Sequence, residues 1–276
     1  MTGLCMESRL KTGLYKKAAG LLRTLGARGG YLRISVAFAD APLVFAIPLR
    51  YAERALDNLE HVLVDCEYFK AGWARPAGGD AVVDAGAFLG FYAVASSRLA
   101  GSRGRVYALE PNPEVAGVAA VNVELNEARN ILLYPRALCP HGGFLKLYVG
   151  EYPAVTSAYR EHVEEFSGVS SVIEARCVRL SSLLRHIGYV GVLKLDIEGL
   201  EHEVLREARG ELGRVQSIVV EVHEDIVDPG DVEEELKKAG FNAFLVYASS
   251  EAPLQSVLYA TRMRRRPRAS STPRGP

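Results

Sequence analysis

Short apolar runs and helical stripes take turns along most of this chain, most clearly between residues 81 and 112. There Ala81-Val82-Val83 ends on Asp84, and Gly86 and Gly90 follow. Residues 91–99 then read as a helix, and a second apolar run over 105–109 ends on Glu110. The order is strand, glycine loop, helix, strand, acid. Beyond it, 113–126 is helical, with Pro113 at a tolerated early position. Residues 131–138 read as a third strand, and 144–149 and 171–180 as further strands. A strongly apolar strand follows at 190–197, then a helix at 199–208 with Leu200, Val204, Leu205 and Ala208 on one face. Residues 215–222 are nearly all apolar. Asp231 is placed to cap a helix that runs to Ala239 and stops at Gly240, with Glu234 and Lys238 in the favourable i, i+4 order. Strands at 242–248 and 257–261 are joined by a short loop and read as antiparallel neighbours. Continuous apolar strands between helices imply a sheet covered on both faces. The expected fold class is α/β: a doubly wound, Rossmann-like sheet, mostly parallel, with an antiparallel edge strand.

The ends of the chain follow other patterns. Residues 1–30 are basic and helical, with Leu10, Leu14, Ala18, Leu21, Leu22 and Leu25 at helical spacing. We read a helix packed on the main domain, with a membrane-surface or partner helix as the alternative. Residues 31–38 and 43–48 form a hairpin about Asp40-Ala41-Pro42, and 51–69 is a second helical stretch. The resulting division is an N-terminal cap over 1–78, a cofactor-binding domain over 79–262 and a basic tail over 263–276. The tail is expected to be disordered. Residues 150–170 are polar with mixed charge and read as a mobile lid over a substrate, or as a plain surface insertion.

Composition narrows the picture. The 276 residues carry no net charge, so no global field selects nucleic acid or membrane. No apolar run approaches a membrane span, and the basic start lacks the apolar core of a signal peptide. Cys5, Cys66, Cys139 and Cys177 show no C-x-x-C spacing, and we read them as reduced thiols of a cytoplasmic protein.

The glycine loop with Glu110 beyond it reads as a nucleoside-binding unit. The acid is placed to accept hydrogen bonds from ribose hydroxyls. Nicotinamide-binding loops read G-x-G-x-x-G, whereas this one reads Asp84-x-Gly86-x-x-x-Gly90. Its wider gap and leading acid favour S-adenosylmethionine, which carries positive charge and no phosphate, over a dinucleotide. Expected cofactor contacts are Asp84, Gly86, Ala87, Phe88, Gly90, Glu110, Pro111 and Asn112, with Ala137 at the end of the third strand and Asp196.

The chemistry falls on Lys194-x-Asp196-x-Glu198-Gly199-x-Glu201. Side chains alternate along a strand, so Lys194 and Asp196 share a side, and Glu198 keeps that phase. A lysine in an apolar strand needs a partner, which Asp196 or Glu198 would supply. Glu221 and His223 share a phase at the end of the next strand. The catalytic candidates are therefore Lys194, Asp196, Glu198 and His223, with His223 or Asp196 as base. No metal is assigned, although Asp196, Glu198 and Glu221 form an alternative divalent-cation site.

Together these stretches resemble the FkbM-type methyltransferases. The first motif of that family resembles V-D-x-G-A-x-x-G, here Val83-Asp84-Ala85-Gly86-Ala87-Phe88-Leu89-Gly90. Another motif is similar to E-P-N-P, here Glu110 to Pro113, followed by an asparagine pair at Asn122 and Asn126. The third is similar to K-x-D-x-E-G-x-E, here Lys194, Asp196, Glu198, Gly199 and Glu201. The resemblance spans roughly 80–225 and implies O-methylation of a hydroxyl on a sugar, polyketide or similar small molecule. The cap and tail lie outside it. A nucleic-acid methyltransferase and a non-catalytic binding module remain as alternatives.

Overall fold

The computed structural model describes residues 4–5, 9–27, 29–248 and 254–262. The tail expected to be disordered lies outside them.

Seven strands form the central sheet: β3 (Ala81–Ala85), β4 (Arg105–Leu109), β5 (Ile131–Tyr134), β10 (Val190–Leu195), β11 (Val215–His223), β12 (Ala243–Ala248) and β13 (Gln255–Thr261). Their order is β12-β13-β11-β10-β3-β4-β5. The run from β11 to β5 is parallel, and β13 lies antiparallel to both β11 and β12. The chain steps outward from β3 through β4 to β5, then returns to place β10 on the other side of β3. That reversal between β3 and β10 is where open α/β sheets hold ligands.

Strand parity explains the two-sided core. Val82, Val106, Val192 and Val219 face one hydrophobic cluster, and Val83, Leu193, Leu195, Val220 and Val222 face the other. The first cluster packs against α3 (Phe91–Ala100), the second against α6 (Leu180–Ile187), α7 (Glu201–Ala208) and α8 (Pro229–Lys238). Lys194 and Asp84 are register partners on the Val82 side.

The N-terminal segment adds to the first cluster. α1 (Arg9–Thr24) packs on α2 (Ala52–Leu59) and buries Ala19, while Leu14, Leu21 and Leu25 face outward. The hairpin of β1 (Tyr31–Phe38) and β2 (Ala41–Pro48) lies against α4 (Pro113–Leu125). Here the asparagine pair has a structural role. Asn122 Oδ1 accepts from Ala46 N–H at 2.7 Å, and Asn126 Oδ1 accepts from Val44 N–H at 2.9 Å. Their amides donate back to Ala46 O and Val44 O. An edge strand thereby finds partners for its outward backbone groups.

A second sheet comprises β6 (Ala137–Leu138), β7 (Gly143–Gly150), β8 (Thr156–Ser157) and β9 (Val169–Val178), in the order β6-β9-β7-β8. With α5 (Arg160–Phe166) it folds beside the carboxyl ends of the main strands. The segment read as a lid thus contains β8 and α5.

Four expectations need correction. The third strand does not run through 131–138. It breaks at Pro135, which has no N–H to donate, and its remainder enters the second sheet as β6. The stretch 51–69 is not one helix: a wider turn occupies Glu60–Val64, and Cys66 at φ 56° ends the helical path there. α8 is capped by Asp228, not Asp231, because Pro229 supplies the first helical turn and Asp228 accepts from Gly230 N–H at 2.7 Å. The cysteines are paired rather than reduced: Cys5 with Cys66 and Cys139 with Cys177, at Cα separations of 6.0 and 5.8 Å. The cytoplasmic expectation rested on reduced thiols and loses that support. Among the described residues, no helix is long and apolar enough to cross a membrane.

Candidate active site

A cleft of about 530 Å3 opens at the carboxyl ends of the parallel strands. One half is lined by Gly86, Phe88, Glu110, Pro111 and Ala137, the other by Asp196, Glu198, Glu221, His61 and His162. Asp84, Ala87, Gly90, Asn112, Lys194 and His223 stand one layer behind the cleft wall.

The first half is built by close backbone approach. At Gly86, φ is +77° and a Cβ would stand 1.7 Å from the Asp196 carbonyl oxygen, so only glycine lets the two loops meet. Glu110 Oε2 accepts from Phe88 N–H and Oε1 from Asn112 N–H, each at 2.9 Å. These bonds fix the carboxylate across the loop. Burial nevertheless pushes Glu110 up to about 8, against the pull of the two N–H groups.

The floor between the halves is a buried charge cluster. Lys194 Nζ lies 3.3 Å from Asp84 Oδ1 and 3.1 Å from Asp196 Oδ2, and donates to Gly86 O at 2.6 Å. Burial would lower its pKa, but Asp196 and Asp84 outweigh that and hold the ammonium charged. The predicted partner Asp196 is present. Asp84 joins it because β3 and β10 are neighbours, and Glu198 turns elsewhere. Asp196 is raised to about 6 by burial, with Lys194 opposing. Tyr68 O–H bridges Asp196 Oδ2, at 3.2 Å, and the Glu221 carboxylate. Burial raises the Glu221 carboxyl, but His61, 3.7 Å away, together with His223 and the Tyr68 hydroxyl, outweighs it and brings Glu221 down to about 2.

The second half is organised by Glu201 at the start of α7. It accepts from Ile197 N–H and Gly199 N–H, each at 3.1 Å, and from His223 Nδ1 at 3.0 Å. The turn is tight enough to hold Glu198 at φ +54°. His223 is fully buried, and its Nε2 lies 3.5 Å from Glu198 Oε2 and 3.9 Å from Asp196 Oδ1. Burial would lower its pKa, but Glu198 and Glu201 raise it well above the usual histidine range. From α5, His162 reaches in with Nε2 at 2.7 Å from Glu198 Oε2 and Nδ1 at 2.6 Å from Asp225 Oδ2. Lys194, Asp196, Glu221 and His223 meet here as their strand phase implies, whereas Glu198 arrives through the turn after β10, where φ is +54° and strand phase no longer applies. Strand phase missed Tyr68, His61 and His162. The first two come from the cap and the third from the insertion, and no periodicity ties any of them to β10.

Residues 84–243 match the family model described as "Methyltransferase FkbM domain". Among solved structures, the chain is similar to a fibrillarin pre-rRNA processing protein of Methanococcus jannaschii, at 11% identity and a TM-score of 0.50. That match covers 83% of this chain and 82% of the other. It is also similar to an S-adenosylmethionine-dependent O-methyltransferase of Thermotoga maritima, at 16% identity and a TM-score of 0.45, covering 90% and 83%. No curated protein matches the chain. A glycine loop with a buried acid beyond it, the lysine–aspartate floor and the family match over more than half the length lead to one conclusion: the chain belongs to the FkbM methyltransferase family.

Proposed function

We propose that the protein transfers the methyl group of S-adenosylmethionine to a hydroxyl oxygen of a small molecule or glycan. The observation that carries this reading is the continuity of the cleft, from Glu110 and Gly86 to Asp196, Glu198 and Glu221. The first half suits a ribose and a thioether chain without phosphate. In the second half the carboxylates disfavour phosphate-rich acceptors such as nucleic acid. The acceptor oxygen forms its bond to the methyl carbon as the carbon–sulfur bond breaks, and alignment in the cleft supplies much of the rate. Asp196, held from behind by Lys194, takes the hydroxyl proton. The test is to supply methyl-labelled S-adenosylmethionine with panels of sugars, polyketides and oligonucleotides. Label on oligonucleotides alone would reverse the acceptor assignment.

The reading also predicts a pH dependence for nucleoside binding. Ribose hydroxyls donate to the Glu110 carboxylate, so binding favours its ionised form, which gains population as pH rises through about 8. The affinity of 5′-methylthioadenosine, which has no amine of its own, should therefore rise by about tenfold from pH 7 to pH 9. Glu110→Gln should flatten that profile in calorimetric titrations. A wild-type affinity that stays constant over this range would remove Glu110 from the ribose site.

A further inference from the structure

We propose that His162, Glu198 and His223 form a binding site for a divalent transition-metal ion at the acceptor end of the cleft. Their donor atoms all lie within 4.8 Å of one another, and they come from three separate segments: α5, the turn after β10 and the end of β11. Three such segments converge without any sequence spacing that would show it.

The hydrogen bonds behind the histidines are the more telling feature. His162 Nδ1 is held by Asp225 at 2.6 Å and His223 Nδ1 by Glu201 at 3.0 Å. A carboxylate on one ring nitrogen fixes the tautomer and leaves the other nitrogen's lone pair free to coordinate, which is how metal-binding imidazoles are held. Both Nε2 atoms then point towards Glu198 Oε2, at 2.7 and 3.5 Å. His223 Nε2 is fully buried and makes no hydrogen bond among the described residues.

The surrounding carboxylates favour a cation: Asp196, Glu198 and Glu201 all lie within 4 Å of His223. The two imidazole rings stand edge to face, with centroids 5.4 Å apart, so their Nε2 atoms converge on Glu198. A divalent ion there would meet two ring nitrogens and one carboxylate oxygen. Two imidazoles and a carboxylate suit manganese, iron, cobalt or zinc, whereas magnesium and calcium prefer oxygen ligands throughout. Glu198 and His162 line the cleft, so the ion faces the acceptor. Its role, which rests on the methyl-transfer reading, is to bind the acceptor oxygen and lower that hydroxyl's pKa, with the proton passing to Asp196. A second grouping, Asp196, Glu221 and His223, shares one ligand, but Tyr68 already bridges its two carboxylates.

The test titrates Co2+ and, separately, Mn2+ into the full-length protein, kept free of reductant so that the cysteines stay paired. The readouts are the cobalt visible spectrum and the loss of free-manganese EPR signal. The expected result is one equivalent bound, weakened by about 10- to 100-fold in Asp225→Asn and more in His162→Gln, with Glu221→Gln close to wild type. Glu198→Gln, checked for folding by its melting temperature, gives a second route should His162→Gln fail to fold. Absence of saturable binding, or equal binding in wild type and Glu198→Gln, would overturn the proposal in favour of a histidine–carboxylate clamp. Loss in Glu221→Gln alone would overturn it in favour of the other grouping. S-adenosylhomocysteine binding is measured on the same samples. Cofactor binding without metal binding sinks this proposal and spares the methyl-transfer reading, and metal binding without cofactor binding does the reverse.

Discussion

Lys194→Met should destabilise the protein by about 3–5 kcal/mol, the usual cost of stranding a buried charge by removing its partner. The side chain is almost fully buried and is register partner to Asp84, which is fully buried itself. Without the ammonium, the fully buried Asp84 has no counter-charge, and Asp196 keeps only His223 Nε2 at 3.9 Å. Urea denaturation of wild type and variant, at matched slopes, gives the difference directly. Adding Asp84→Asn to Lys194→Met should recover part of the loss, because it removes one of the stranded charges. A loss below about 1 kcal/mol would mean that the cluster carries no net ion pair.

Asp196→Asn should lower kcat by about 10²- to 10⁴-fold, the range for removing a general base, with S-adenosylhomocysteine affinity changed far less. Asparagine preserves the shape and the contacts to Lys194 and Tyr68, so the fold should survive. Single-turnover transfer of labelled methyl to the acceptor found in the panel isolates the chemical step. A turnover within about fivefold of wild type would leave alignment alone as the source of rate.

What the sequence could show depends on how local each feature is. Strand parity is local, and it groups Lys194 with Asp196 and Glu221 with His223; the register of β10 on β11 then sets both pairs on one side of the sheet. Strand order is not local. That is why Asp84 went unrecognised as the lysine's partner, although the two are adjacent in the sheet. His162 stands alone in a polar insertion, and only the packing of α5 over the cleft brings it to Glu198. The disulfides join residues 61 and 38 positions apart, separations that carry no spacing signal. Asn122 and Asn126 were visible as a motif, but their hydrogen bonds to the cap hairpin required the folded chain.

The central claim is that a nucleoside-bearing methyl donor sits on Gly86 and Glu110 with its sulfur towards Asp196. Its most direct test is isothermal titration of S-adenosylhomocysteine into wild type and a folded Glu110→Gln variant. The expected result is one saturable site, weakened in the variant by about 1–3 kcal/mol for the ribose hydrogen bonds lost. No binding to wild type, or equal affinity in both proteins, would contradict it.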